Sequence, residues 1–225
     1  KEEKLVNYIK EFAKKNNLDL YIDEVSNIII RKPAKKGYEN LKTVILQAHL
    51  DMVPQKNNDK QHDFEKDPIV PIIDIDNEWV KADGTTLGAD NGIGLAAALA
   101  ILEDNSIEHG PIECLFTVDE ETGMTGAFGL KPGILKGDIL LNLDSEEEGE
   151  LFVGCAGGLN ATAKLKYNTR KVSEDEIGIN LSITGLKGGH SGCDIHLQRG
   201  NANKIMIRLL MMLVKKYDIG IIKIE

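Results

Sequence analysis

Leu115-Phe116-Thr117-Val118-Asp119-Glu120-Glu121-Thr122-Gly123 reads as a buried strand that ends in three adjacent carboxylates and a glycine turn. Acids bunched at the end of an apolar run repel one another and lose hydration, so a compensating partner is expected. A solvated acidic loop is the plain alternative. The flanking sequence decides between the two.

Two other apolar runs end in the same manner. Residues 43–48 read as a strand that delivers His49-Leu50-Asp51, and residues 139–143 as a buried strand followed by Asp144 and Glu146 to Glu148. A glycine-rich segment, Gly84-Thr85-Thr86-Leu87-Gly88-Ala89-Asp90-Asn91-Gly92-Ile93-Gly94, leads into an apolar helix over 95–102. Upstream, Leu5, Ile9 and Phe12 give a helical stripe over 2–16. One or two strands follow over 20–31, then a polar turn over 32–40. Residues 72–81 form a hairpin about Asp76-Asn77, and a short helix ends at 128–130. Buried strands alternating with helices predict an α/β fold, a mixed sheet with helices on both faces. In such sheets ligands bind at the carboxyl ends of the strands. Three polar strand ends plus Asp90 at a helix start can therefore converge on one place.

Beyond Gly157-Gly158 the character changes. Residues 160–167 and 177–183 alternate as strands do, and residues 185–192 form a glycine-rich loop that carries His190. An apolar helix over 202–214 follows, with Asn201 as its cap, and a further strand starts at Asp218. The expected domains are 1–177 and 178–225, the second too short to close a core easily.

The 225 residues carry 36 acids against 27 bases, a net charge of −9, which argues against a nucleic-acid surface or an acidic membrane face. The three cysteines, Cys114, Cys155 and Cys193, form no Cys-x-x-Cys pair, so neither a disulfide framework nor a thiolate zinc cluster follows. No apolar run is long enough to span a bilayer, and the charged amphipathic start does not read as a signal peptide. The expected compartment is the cytoplasm. A first residue other than Met suggests a chain that begins inside a longer gene product.

His49, Asp90, Glu121 and Asp144 supply one imidazole and three carboxylates, a donor set suited to a divalent cation. Asp90, in a tight glycine loop, is the candidate to bridge two metals. Asp51, two residues past His49 on an extended strand, shares its face and can orient the imidazole. Of the neighbours Glu120 and Glu121, one can bind metal while the other takes a proton from water. Taken singly, each has a duller reading: a satisfied histidine, a helix cap at Asp90, a solvated loop at 144–148. A nucleotide-binding reading of residues 88–94 fails because no Lys-Ser/Thr follows and Asp90 would repel a phosphate.

These residues resemble the zinc-dependent M20 metallopeptidases, and within them the aminoacyl-histidine dipeptidase branch. The resemblance is carried by residues 47–54, 85–94, 119–124, 142–147 and 188–192. It implies a zinc-peptidase-like catalytic domain and the beginning of an inserted α+β lid domain. It also implies two divalent metal ions, zinc with cobalt or manganese as alternatives, hydrolysing Xaa-His dipeptides. His49, Asp90, Glu121 and Asp144 match the metal ligands, Asp51 the acid that orients the histidine, and Glu120 the general acid/base. His190 matches a substrate-binding lid histidine, and the lid implies a homodimer of the full-length protein. Relatives carry a further ligand histidine downstream that His196 does not match, which implies that this fragment is poorly active alone. Other M20-type amidohydrolases, deacylases or carboxypeptidases, remain the enzymatic alternative, and a non-catalytic metal-binding or dimerisation fragment the other.

Overall fold

The computed structural model describes residues 2–155, 157–159, 161–189, 192 and 194–224. The chain splits into two compact units, Lys1–Gly157 and Gly158–Glu225. The domain boundary expected at 177/178 falls inside the second.

The first unit opens with α1 (Glu3–Lys15), whose apolar stripe buries Ile9 and Ala13. β1 (Asp19–Ile22) and β2 (Ile28–Lys32) follow as an antiparallel pair. Next come β3 (Val44–His49), the hairpin β4 (Pro71–Ile73) and β5 (Val80–Ala82), and α2 (Ala89–Glu103). β6 (Ile112–Thr117), the short α3 (Thr125–Gly129) and β7 (Ile139–Asn142) complete it. The main sheet has the order β1-β2-β6-β3-β7. β6 runs antiparallel to β2 and parallel to β3, and β7 is parallel to β3. The sheet is thus mixed, as expected.

β6 sits at the centre, and all six of its residues are buried. On one face Ile28, Ile30, Leu46, Ala48, Cys114 and Phe116 form a core with Ile9 of α1 and Leu95, Ala98 and Leu102 of α2. On the other, Ile29, Ile45 and Leu115 pack against Leu130, Ile134 and Leu135. Two-sided burial explains why these strands read as continuous apolar runs. Burial pushes the Cys114 thiol up to about 12, so this cysteine is an inert core residue.

Three details depart from the sequence reading. The strand over 139–143, read as buried, is the edge strand β7, and Ile139, Leu140 and Leu141 are exposed. A continuous apolar run signals burial only where both faces are covered. Lys32, read as the start of a polar turn, is a buried residue of β2. Its Nζ donates to the carbonyls of Ile101 (2.9 Å) and Asp104 (2.6 Å) and so satisfies the C-terminal end of α2. Third, α2 extends back past residue 95 but is broken near its start, where Asp90 (φ −88°, ψ 108°) and Asn91 (φ −108°, ψ 35°) have non-helical backbone.

Taken by itself, the second unit contains a 3₁₀ turn at Ile195–Leu197 and α4 (Ala202–Lys216). The Asn201 side chain accepts from the Lys204 N–H at 2.9 Å, as a cap should. Of the strands expected over 160–167, over 177–183 and from Asp218 onward, none is formed among the described residues. No helix among the described residues is long and apolar enough to cross a membrane.

Candidate metal centre at the strand ends

Parallel pairing brings the carboxyl ends of β3, β6 and β7 side by side. His49 lies opposite Thr117, and Gln47 opposite Asn142. The ladder continues one residue further on each side, from the Leu50 N–H to the Thr117 carbonyl (2.8 Å) and from the Leu143 N–H to the Gln47 carbonyl (2.9 Å). The segments 49–51, 118–121 and 143–144 therefore leave the sheet together.

Asp90 arrives from the fourth direction. Thr86 ties its loop to the chain just past Asp51, donating from Oγ1 to the Val53 carbonyl (2.6 Å) and from N–H to the Gln55 carbonyl (2.8 Å). Gly88 turns with φ +78°, a left-handed backbone that strains residues with a Cβ and favours glycine.

His49 is 2% exposed. Its Nδ1 lies 2.9 Å from the main-chain oxygen of Asp51. A carbonyl can only accept, so Nδ1 carries the proton and Nε2 faces the carboxylates. Nε2 sits 3.0 Å from Asp90 Oδ1 and 3.3 Å from Asp144 Oδ1. Burial pulls the imidazole down, but the hydrogen bonds and charges of Asp144 and Asp90 outweigh it and lift its pKa to about 9.

The carboxylates crowd one another. Burial and the neighbouring Asp144 push Asp90 up, while the hydrogen bond from His49 holds Asp144 down. Burial raises Glu120, with Asp144, Asp51 and Asp90 adding to it against His49; burial and Asp90 raise Glu121. Several carboxylates around one imidazole form a set that a divalent cation suits and a further anion does not.

The ligand atoms fall into two groups that share His49. Those of His49, Asp90 and Asp144 all lie within 4.8 Å of one another, and so do those of His49, Glu120 and Glu121. All six expected residues of the first unit, Asp51 included, are thus gathered at one end of the sheet. A carboxylate oxygen of each glutamate lies within 4.8 Å of the imidazole, so chain geometry alone does not divide their tasks. His190 lies outside the described residues.

Other contributors were not apparent in the sequence. Asp119, one of the three bunched acids, is a bracing residue with φ +57° whose carboxylate accepts from the hydroxyls of Thr122 and Thr125. Asn91, 3% exposed, lines an open cleft of about 270 Å³ with Asp90, Gly94, Leu143 and Asp144. Gly94 leaves room for the Asn91 side chain and the Leu143 backbone. Asn27 braces the acidic loop from below, donating to the Gly126 carbonyl (2.8 Å) and accepting from the Val118 N–H (3.3 Å). Only the Asp90-Asn91 adjacency carried any local signal of these roles.

Comparison with known proteins finds relatives of the chain. Residues 45–178 match the model of peptidase family M20/M25/M40. The chain is 55% identical over 221 residues to the cytosol non-specific dipeptidase of Escherichia coli, covering 98% of the chain and 45% of that protein. Among solved structures, an aminoacylhistidine dipeptidase from Vibrio alginolyticus superposes with a TM-score of 0.67 at 51% identity, covering 96% of this chain and 44% of that one. A tripeptidase from Staphylococcus aureus superposes with a TM-score of 0.53 at 27% identity, covering 63% of this chain and 37% of that one. The chain spans less than half the length of each of these proteins.

Proposed function

The chain belongs to peptidase family M20/M25/M40, and on that premise we propose that it carries the metal centre of a metal-dependent dipeptidase. The observation that supports this reading is the convergence of Asp90, Asp144, Glu120 and Glu121 on the buried His49. His49, Asp90, Glu121 and Asp144 would hold two divalent ions, zinc in the first instance. A further histidine from outside these 225 residues would complete the pair.

When bound, the ions polarise the scissile carbonyl and make water more acidic. The chain's own groups do the rest. His49, with its proton fixed on Nδ1, presents the Nε2 lone pair as a ligand. Glu120, raised by burial, is suited to take a proton from the attacking water and return it to the leaving amine. The substrate would be a dipeptide of the Xaa-His type, with His190 assisting its binding. Residues 1–177 would form the catalytic part and 178–225 the start of a lid through which the whole cytoplasmic protein pairs as a homodimer.

Zinc titration by calorimetry together with Glu120→Gln tests this reading. The variant should keep zinc binding, while a protein of the relatives' length loses at least ~10²-fold in turnover of an Xaa-His dipeptide. Unchanged turnover in Glu120→Gln would remove Glu120 from its role. Activity confined to N-acyl amino acids would make the protein a deacylase instead.

A further inference from the structure

An acid two residues past a histidine on a strand invites the reading that its carboxylate grips the imidazole. The geometry here divides the work differently. The His49 Nδ1 proton goes to the main-chain carbonyl of Asp51 at 2.9 Å, and the Asp51 carboxylate stands 3.5 Å from that nitrogen. The carboxylate instead accepts two shorter bonds, one on each oxygen. The Glu120 N–H donates to Oδ1 at 2.9 Å and the Glu121 N–H donates to Oδ2 at 3.0 Å.

Two successive N–H groups turned to one side make an anion-binding concavity, and Asp119 with φ +57° supplies the turn just before them. The Asp51 side chain is 11% exposed, so both bonds are shielded from competing water. Bonds from amides to an ionised acceptor are among the stronger ones in proteins. Asp51 also lies at the end of β3, whereas the amides lie past the end of β6, some seventy positions along the chain.

We propose that Asp51 is a positioning residue whose carboxylate fixes the Glu120–Glu121 backbone against the end of β3, while its main-chain carbonyl takes the Nδ1 proton of His49. The inference rests on the tasks assigned above to Glu120 and Glu121, and it makes Asp51 the link that sets their placement relative to His49. Asp51→Asn discriminates. A carboxamide keeps one acceptor oxygen but turns an NH₂ toward the second amide, where two donors oppose each other. The main-chain carbonyl at residue 51 is retained.

In the metal-free chain, amide hydrogen exchange of Glu120 and Glu121 in Asp51→Asn should accelerate at least ~10-fold, with Cys114 and Leu115 of β6 unchanged. Nitrogen NMR should still report the proton of His49 on Nδ1. Unchanged exchange at 120 and 121, or loss of the Nδ1–H signature, would overturn the proposal. His49→Ala offers an independent reading should Asp51→Asn not fold. Protection at 120 and 121 persists if the carboxylate serves the amides, and its loss would show that the imidazole holds the carboxylate in place. Neither measurement involves metal or substrate, so failure here is distinct from failure of the dipeptidase reading.

Discussion

In the first unit, Ile28, Ile29 and Ile30 lie between two neighbouring strands and are fully buried. In the second, Leu165, Ile177 and Ile179 alternate with polar residues as a strand would, yet stand 88%, 84% and 79% exposed. α4 buries none of its residues. The difference teaches that apolar periodicity describes the face a segment offers, not the partner that covers it. A strand is completed by the ladder of its neighbours, and β2 has β1 and β6 beside it.

The largest expected contrast lies in core truncation. Phe116→Ala, at a fully buried site in β6, should cost about 3–5 kcal/mol in urea unfolding. Leu165→Ala should change stability by no more than about 0.5 kcal/mol. A comparable loss at Leu165 would break the comparison, since it would reveal a core in the second unit.

Charge pairs extend the contrast. Glu113, 2% exposed, accepts from Arg31 Nε at 2.9 Å and from the N–H groups of Lys136 (2.7 Å) and Gly137 (2.8 Å). Glu113→Ala strands those two amides and should cost about 1–3 kcal/mol in the same unfolding assay. Smaller again is the cap of α4, where Asn201→Ala should lower helix stability by about 1 kcal/mol, read as lost helicity by circular dichroism.

The smallest effect belongs to the exposed Arg170–Glu176 pair. The hydrogen bond from Arg170, with help from the Ser173 N–H, holds the Glu176 carboxyl down to about 2 against an ordinary 4.5. A depressed acid contributes stability that is present above pH 4.5 and lost as pH falls through about 2. Carboxyl NMR titration should give that low midpoint, and Arg170→Ala should return it toward 4.5. An unmoved midpoint would mean that Arg170 is not its partner.

Most of the first unit was legible because hydrophobic periodicity and turn residues are local properties. The strands, the hairpin and the acids at strand ends could each be found within a few residues, as could the Asn201 cap in the second unit. β7 differs because an apolar run reads as two-sided burial, whereas burial depends on what lies beyond the strand. Lys32 misled because a lysine next to Pro33 looks solvated until the end of α2 is brought over it.

The sequence by itself determined that His49, Asp51, Asp90, Glu120, Glu121 and Asp144 stand at the ends of apolar segments, since that is written in neighbouring residues. Only the tertiary structure decided what each of them touches. The Asp51 carboxylate accepts from two amides about seventy residues away while standing 3.5 Å from the imidazole two residues back. Both glutamates were turned toward one histidine. Such choices depend on how β3, β6 and β7 pair, because a hydrogen bond is satisfied by whichever partner the fold brings within 3 Å at the right angle.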